Sequence, residues 1–103
     1  MDLSTQLAGM WALSDEGVGK HAAECRAAFP WFDQLSEPRR AVIIGLCSRL
    51  GVQQLLAFGR MLDSIRDERF AHAAELLRQS HWARSTPKRA VRLAYMLETG
   101  EWN

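Results

Sequence analysis

His21 and Cys25 stand four residues apart, a spacing that turns both side chains toward one side of a helix and toward one metal ion. Zinc takes four protein ligands in a structural site or three in a catalytic one, and no other residue with ligand spacing stands nearby. His72 and His81 are isolated. The pair therefore reads as an exposed histidine and a packed cysteine, with neither metal nor cofactor expected. Cys47 lies in the most apolar stretch of the chain and reads as core. No spacing supports a Ser-His-Asp or Cys-His nucleophile. Basic residues gather late: Arg78, Arg84, Lys88, Arg89 and Arg92 occur with no acid between Glu75 and Glu98, and His81 and Trp82 lie close by. Such a cluster could meet phosphate, an acidic wall polymer or an acidic protein surface, and it equally suits a solvated helix face. The five charges are spread over three turns or loops of a chain whose formal net charge is +1, and they lack a recognition-helix signature. Nucleic-acid binding is not expected.

The elements that must position these groups are helical. The chain has 103 residues, 48% hydrophobic and 24% charged, enough for one core and too few for two domains. The apolar spacing follows the helical period, and no stretch alternates like a strand. Residues 3–13 place Leu3, Leu7, Met10 and Trp11 on one stripe. Ser14-Asp15-Glu16-Gly17 then reads as a stop and restart, with a second helical stretch over 19–28. Gly17 and Gly19 favour a break or kink. Pro30 interrupts, and Phe29, Trp31 and Phe32 suggest a short helical turn. Ser36-Glu37-Pro38 is a strong helix start: a hydroxyl cap, an acid in the first turn and an early proline. The helix it opens carries Ala41-Val42-Ile43-Ile44-Gly45-Leu46-Cys47 with no polar face, so neighbours must wrap it, and Gly51 suits its end. Thr86-Pro87 repeats the cap-plus-proline start, and Gly100 closes the last helix. The expected fold is all-α, seven or eight short helices around a buried central one.

The stretch from Phe32 to Trp102 resembles the C-terminal, all-helical lobe of the phage-type lysozymes, the T-even bacteriophage muramidase family. The resemblance rests on Arg39-Arg40-Ala41 leading into an apolar helix that ends at Gly51, then Phe58, then Arg69-Phe70-x-x-Ala73-Ala74. Ser80-x-Trp82, Thr86-Pro87-x-Arg89-Ala90 and the closing Thr99-Gly100-x-Trp102 complete it. No gap is needed over some seventy residues. The implied organisation is a single domain, with 29–103 like that helical lobe and 1–28 a divergent helical segment.

In that family, catalysis belongs to an N-terminal lobe carrying Glu-x(8)-Asp/Cys-x(5)-Thr and a glycine-rich strand turn. Here Glu16-x(8)-Cys25 arrives at Trp31 and Glu24-x(8)-Asp33 arrives at Arg39, and no strand pattern follows either. Glycoside cleavage needs an acid at the leaving oxygen and an opposing group across a cleft. The expectation is therefore a pseudoenzyme that acts by binding. Arg89 matches the family arginine that reaches across the cleft toward the catalytic Glu; without that partner it is free for another ligand or paired locally. Ser48 and Arg49 stand where the family shows an aromatic and an amide on the interlobe side, a change that weakens sugar binding and adds positive charge. The stripe of Leu3, Leu7, Met10 and Trp11 would lean on the other lobe in a two-lobed relative. Each large side chain left in water forgoes about 1.5–3 kcal/mol, so the stripe must fold back, dimerise or dock on a partner. The candidate binding surface comprises Leu7, Trp11, Ser48, Arg49, Arg84, Lys88 and Arg89. Its expected occupant is a host or phage protein or a second copy of the chain; the alternatives are peptidoglycan binding and one half of a split muramidase. No signal peptide or membrane span is visible, and two unpaired cysteines suit the cytoplasm of a bacterial host.

Overall fold

The computed structural model describes residues 3–103; Met1 and Asp2, the start of the segment expected to carry no signal peptide, lie outside the described residues. Helix α1 (Leu3–Trp11) ends where Ala12 takes a φ of 57°, and Ser14 opens α2 (Asp15–Ala28) by accepting the Gly17 N–H at 3.1 Å. Residues 3–28 thus form two helices, and the break falls at 12–14 rather than at the glycines. Helix α2 runs straight through Gly17 and Gly19. A mid-helix glycine costs about 1 kcal/mol. The Ser14 cap, the acids Asp15 and Glu16 in the first turn and the burial of Val18 and Cys25 offset that cost.

Phe29 stacks on Trp31 with ring centroids 4.9 Å apart, and a single 3-10 turn (Phe32–Gln34) leads to the central helix. Helix α3 (Glu37–Leu50) begins at Ser36, whose hydroxyl accepts the Arg39 N–H at 3.5 Å and donates to the Gly100 carbonyl at 3.1 Å. Every residue from Ala41 to Cys47 is buried, as a helix apolar on all sides requires. Gly51, with φ 82°, ends it. Five helices follow: α4 (Val52–Leu56), α5 (Gly59–Arg66), α6 (Phe70–Arg78), α7 (His81–Ser85) and α8 (Pro87–Thr99). The last closes on Gly100 in the left-handed region. The described residues therefore form eight α-helices and one 3-10 turn with no strand, the all-α architecture expected.

Helix α3 packs against α1, α2, α4 and α8, while α6 lies along both α5 and α8. Arg39 ties this arrangement together. Its Nε and Nη2 donate to the carbonyls of Leu97 and Glu98, both at 2.8 Å, and its guanidinium lies 3.5 Å from the Phe70 ring centre. One side chain thus joins the start of α3 to the end of α8 and the start of α6. Thr86 holds the N-cap position of α8 with Pro87 in the first turn, as expected, but its hydroxyl makes no capping bond and donates back to the Trp82 carbonyl at 3.3 Å. No described helix is long and apolar enough to cross a membrane.

The stripe on α1 faces inward. Leu7 is fully buried and Trp11 only 2% exposed, so neither lines an open docking surface, and that expectation is corrected. The cause is a notch in α3: at Gly45 the absence of a side chain lets the Trp11 indole lie directly on the helix backbone. Of the three fates open to the stripe, it folds back.

Candidate functional site

The side of the molecule formed by α1, the end of α3 and the start of α8 collects most of the expected binding residues. Trp11 lies at its centre. A Cβ at Gly45 would overlap the indole atoms Cε2, Cζ2 and Nε1. The Arg89 guanidinium sits over the indole at 4.9 Å from the ring centre and that of Arg49 at 6.0 Å. Cations at these distances are attracted by the negative face of the ring. Two arginine guanidiniums therefore lie near one aromatic group supplied by the chain's own first helix. The indole N–H is buried and has no hydrogen-bond partner among the described residues. Ser48, in contrast, is turned back on its own helix, its hydroxyl donating to the Gly45 carbonyl at 2.7 Å.

Beside this seat lies a shallow recess of about 340 Å³ lined by Met10, Lys88, Arg89 and Arg92. The first and second turns of α8 project the three cations, and α1 supplies the apolar wall through Met10. Among the described residues no carboxylate side chain lines the recess, though Arg92 Nη2 also donates to the Asn103 main-chain oxygen at 3.5 Å. Its chemistry suits an acidic group that can take several charge-assisted hydrogen bonds while touching an apolar floor. Arg84 is exposed at the end of α7. Arg78, the first of the late basic residues, is occupied elsewhere: it pairs with Glu75 at 3.3 Å and Glu98 at 3.0 Å.

The acids that could mimic a catalytic pair are dispersed. Glu24 pairs with His21 at 2.7 Å, Asp33 with Arg26 at 2.8 Å, and Glu16 is exposed in the first turn of α2. Cys47 is core, as its surroundings in the sequence suggested, yet its Sγ also reaches His21 Nδ1 and Glu24 Oε1, each at 3.9 Å. The sequence pointed to His21 with Cys25; the structure instead groups His21 with Glu24, three residues on, and with Cys47 of α3, 26 residues after His21. Burial and the neighbouring Glu24 charge raise the Cys47 thiol above its ordinary pKa, and burial raises that of Cys25 further.

A second recess, about 410 Å³, is lined by Leu50, Phe58, His81, Trp82 and neighbouring residues of α4 and α7. It was not foreseen because it is assembled from short elements that share no periodic pattern. Trp82, expected only to pin a helix, forms part of its wall while remaining half-buried.

No family model matches the chain. It is similar to "Probable T4-type lysozyme 1" of Dictyostelium discoideum, with 32% identity over 72 residues, covering 70% of this chain and 42% of that protein. It is also similar to "Probable T4-type lysozyme 2" of the same organism, with 29% identity over 69 residues, or 67% of this chain and 41% of the relative. The matched stretch thus spans about four tenths of each relative.

Proposed function

Starting from the chain's relationship to the T4-type lysozymes, phage-lysozyme-like over some seventy residues, we propose that it is a helical domain that binds rather than cleaves. Its ligand is an acidic surface on another protein. The observation that carries this reading is the seat of Trp11. The indole occupies the notch at Gly45 with Arg49 and Arg89 nearby, on the side that the resemblance assigns to the interlobe cleft. A sugar chain or a second lobe approaching from that side meets α1 first. The cations beside it remain accessible, with Lys88 exposed and Arg92 half-buried, so the recess is a contact point for carboxylates. The two free, buried thiols suit a reducing compartment, where such a partner would be intracellular.

The names of the relatives favour a second reading, in which this chain contributes one part of a muramidase and its acids or Arg89 serve a catalytic centre completed by other residues. Incubation of the purified chain with peptidoglycan sacculi separates the two readings. Binding without cleavage gives no soluble muropeptides, and release of muropeptides overturns it. The binding half is tested on immobilised polyglutamate, where retention at low salt is expected to fall steeply as ionic strength rises. The double variant Lys88→Glu/Arg92→Glu should lose that retention. Unchanged retention in the variant would remove the α8 recess as the contact surface.

A further inference from the structure

We propose that His21, Glu24 and Cys47 form a zinc site that clamps α2 to α3, with a fourth coordination position open to water. Three different donor types converge here from two helices. His21 and Glu24 stand three residues apart on one face of α2, and Cys47 faces them from the fully buried run of α3. Their donor atoms form a compact triangle: Nδ1 to Oε1 is 2.7 Å, and Sγ is 3.9 Å from each. A point in the plane of these three atoms lies about 2.1 Å from all of them, close to the ~2.0–2.2 Å of Zn–N and Zn–O bonds and slightly inside the ~2.3 Å of Zn–S. Around a tetrahedral ion the nitrogen and oxygen would sit about 3.3 Å apart, so the 2.7 Å His21–Glu24 hydrogen bond must open by about 0.6 Å. A nitrogen, an oxygen and a sulfur donor together match the borderline character of zinc, whereas calcium and magnesium take oxygen alone.

The surroundings suit the ion on both sides. His21 and Glu24 are partly exposed, with side chains 20% and 39% accessible, which gives entry and room for water at the fourth position. Cys25, buried one turn after His21 on α2, is not one of the three grouped donors. Binding converts the Cys47 thiol to a thiolate bonded to zinc and releases one proton to solvent; His21 binds as the neutral imidazole. Affinity therefore rises with pH. The clamp also falls where apolar anchoring is thinnest, since α2 buries only Val18 and Cys25 of its 14 residues.

Titration of the full chain with Co²⁺, under a phosphine reductant that keeps both thiols free, tests the proposal. One equivalent should produce a thiolate-to-cobalt charge-transfer band and intense visible d–d bands, both displaced by one equivalent of Zn²⁺. Cys47→Ala should abolish the charge-transfer band. His21→Ala and Glu24→Gln, which alter partly exposed side chains, should each weaken binding at least tenfold while circular dichroism stays unchanged. Cys25→Ala, which removes a thiol outside the grouped donors, should keep the band. The proposal is overturned if no charge-transfer band forms, if it survives in His21→Ala and Glu24→Gln at unaltered affinity, or if Cys25→Ala eliminates it.

Discussion

The helices α3–α8 and the pair α1–α2 are held in different ways. In α3 the seven consecutive residues Ala41 to Cys47 are buried, and α8 adds Leu93, Ala94, Met96 and Leu97 to the same core. No single side chain there carries the packing. In α1 the attachment is concentrated in Leu7, Met10 and above all Trp11, which is fitted to one glycine. In α2 it is thinner still, and polar groups meet a thiol where the body has aliphatic contacts. A distributed core tolerates local change but fails as a unit; a seated side chain fails alone and releases its own helix.

That contrast predicts different outcomes for substitutions of similar size. Trp11→Ala should cost about 3–5 kcal/mol in denaturant unfolding of the intact fold, the range for emptying an aromatic site. It should also free α1 before the body unfolds, so that limited proteolysis cuts near residues 12–14 while a fragment containing α3–α8 persists. Leu46→Ala, at a fully buried position of α3, should cost about 2–5 kcal/mol. It should lower the midpoint of one cooperative transition without yielding that fragment. If the two variants give the same proteolytic pattern, the distinction between seated and distributed packing does not hold.

The capping serines sharpen the comparison at smaller scale. Ser36 caps α3 and also donates across to Gly100, whereas Ser14 makes only the local bond to Gly17. Ser36→Ala should therefore cost about 1–2 kcal/mol and Ser14→Ala about 0.5–1 kcal/mol, both read from chemical denaturation. A larger loss at Ser14 would mean that the entry to α2 matters more than its sparse burial implies.

The smallest effect is expected at the surface. Arg26 and Asp33 are each about half exposed, and their 2.8 Å pair should contribute less than about 1 kcal/mol. Arg26→Ala should lose that contribution at low salt and match the parent at high salt. A persistent loss at high salt would point instead to the packing of the Arg26 guanidinium, which lies 5.7 Å from the Phe32 ring centre.

What could be read in the sequence follows the same division. Helix α3 was legible because Ser36-Glu37-Pro38, an uninterrupted apolar run and Gly51 all point to one helix with one burial state. The end of α8 was legible through Gly100. The continuity of α2 was not, since glycine propensity is local while the cap and the burial of Val18 and Cys25 overrule it. Nor was the fate of Trp11, because its seat depends on a glycine 34 positions away that resembles any other small residue in an apolar helix. The His21–Glu24–Cys47 cluster was hidden for a related reason: a buried cysteine reads as core until the helix opposite it is placed. Ser48 sat on the correct side of the molecule, but its hydroxyl is satisfied by its own helix.

Amide hydrogen exchange along α1 tests most directly whether the first helix covers this side of the molecule. With Trp11 seated at Gly45, the helical amides at Leu7, Met10 and Trp11 should exchange slowly in the intact chain and become fast in Trp11→Ala. Fast exchange of these amides in the unmodified chain, with α3 still protected, would show that α1 stands off the fold and leaves the side between Arg49 and Arg89 open.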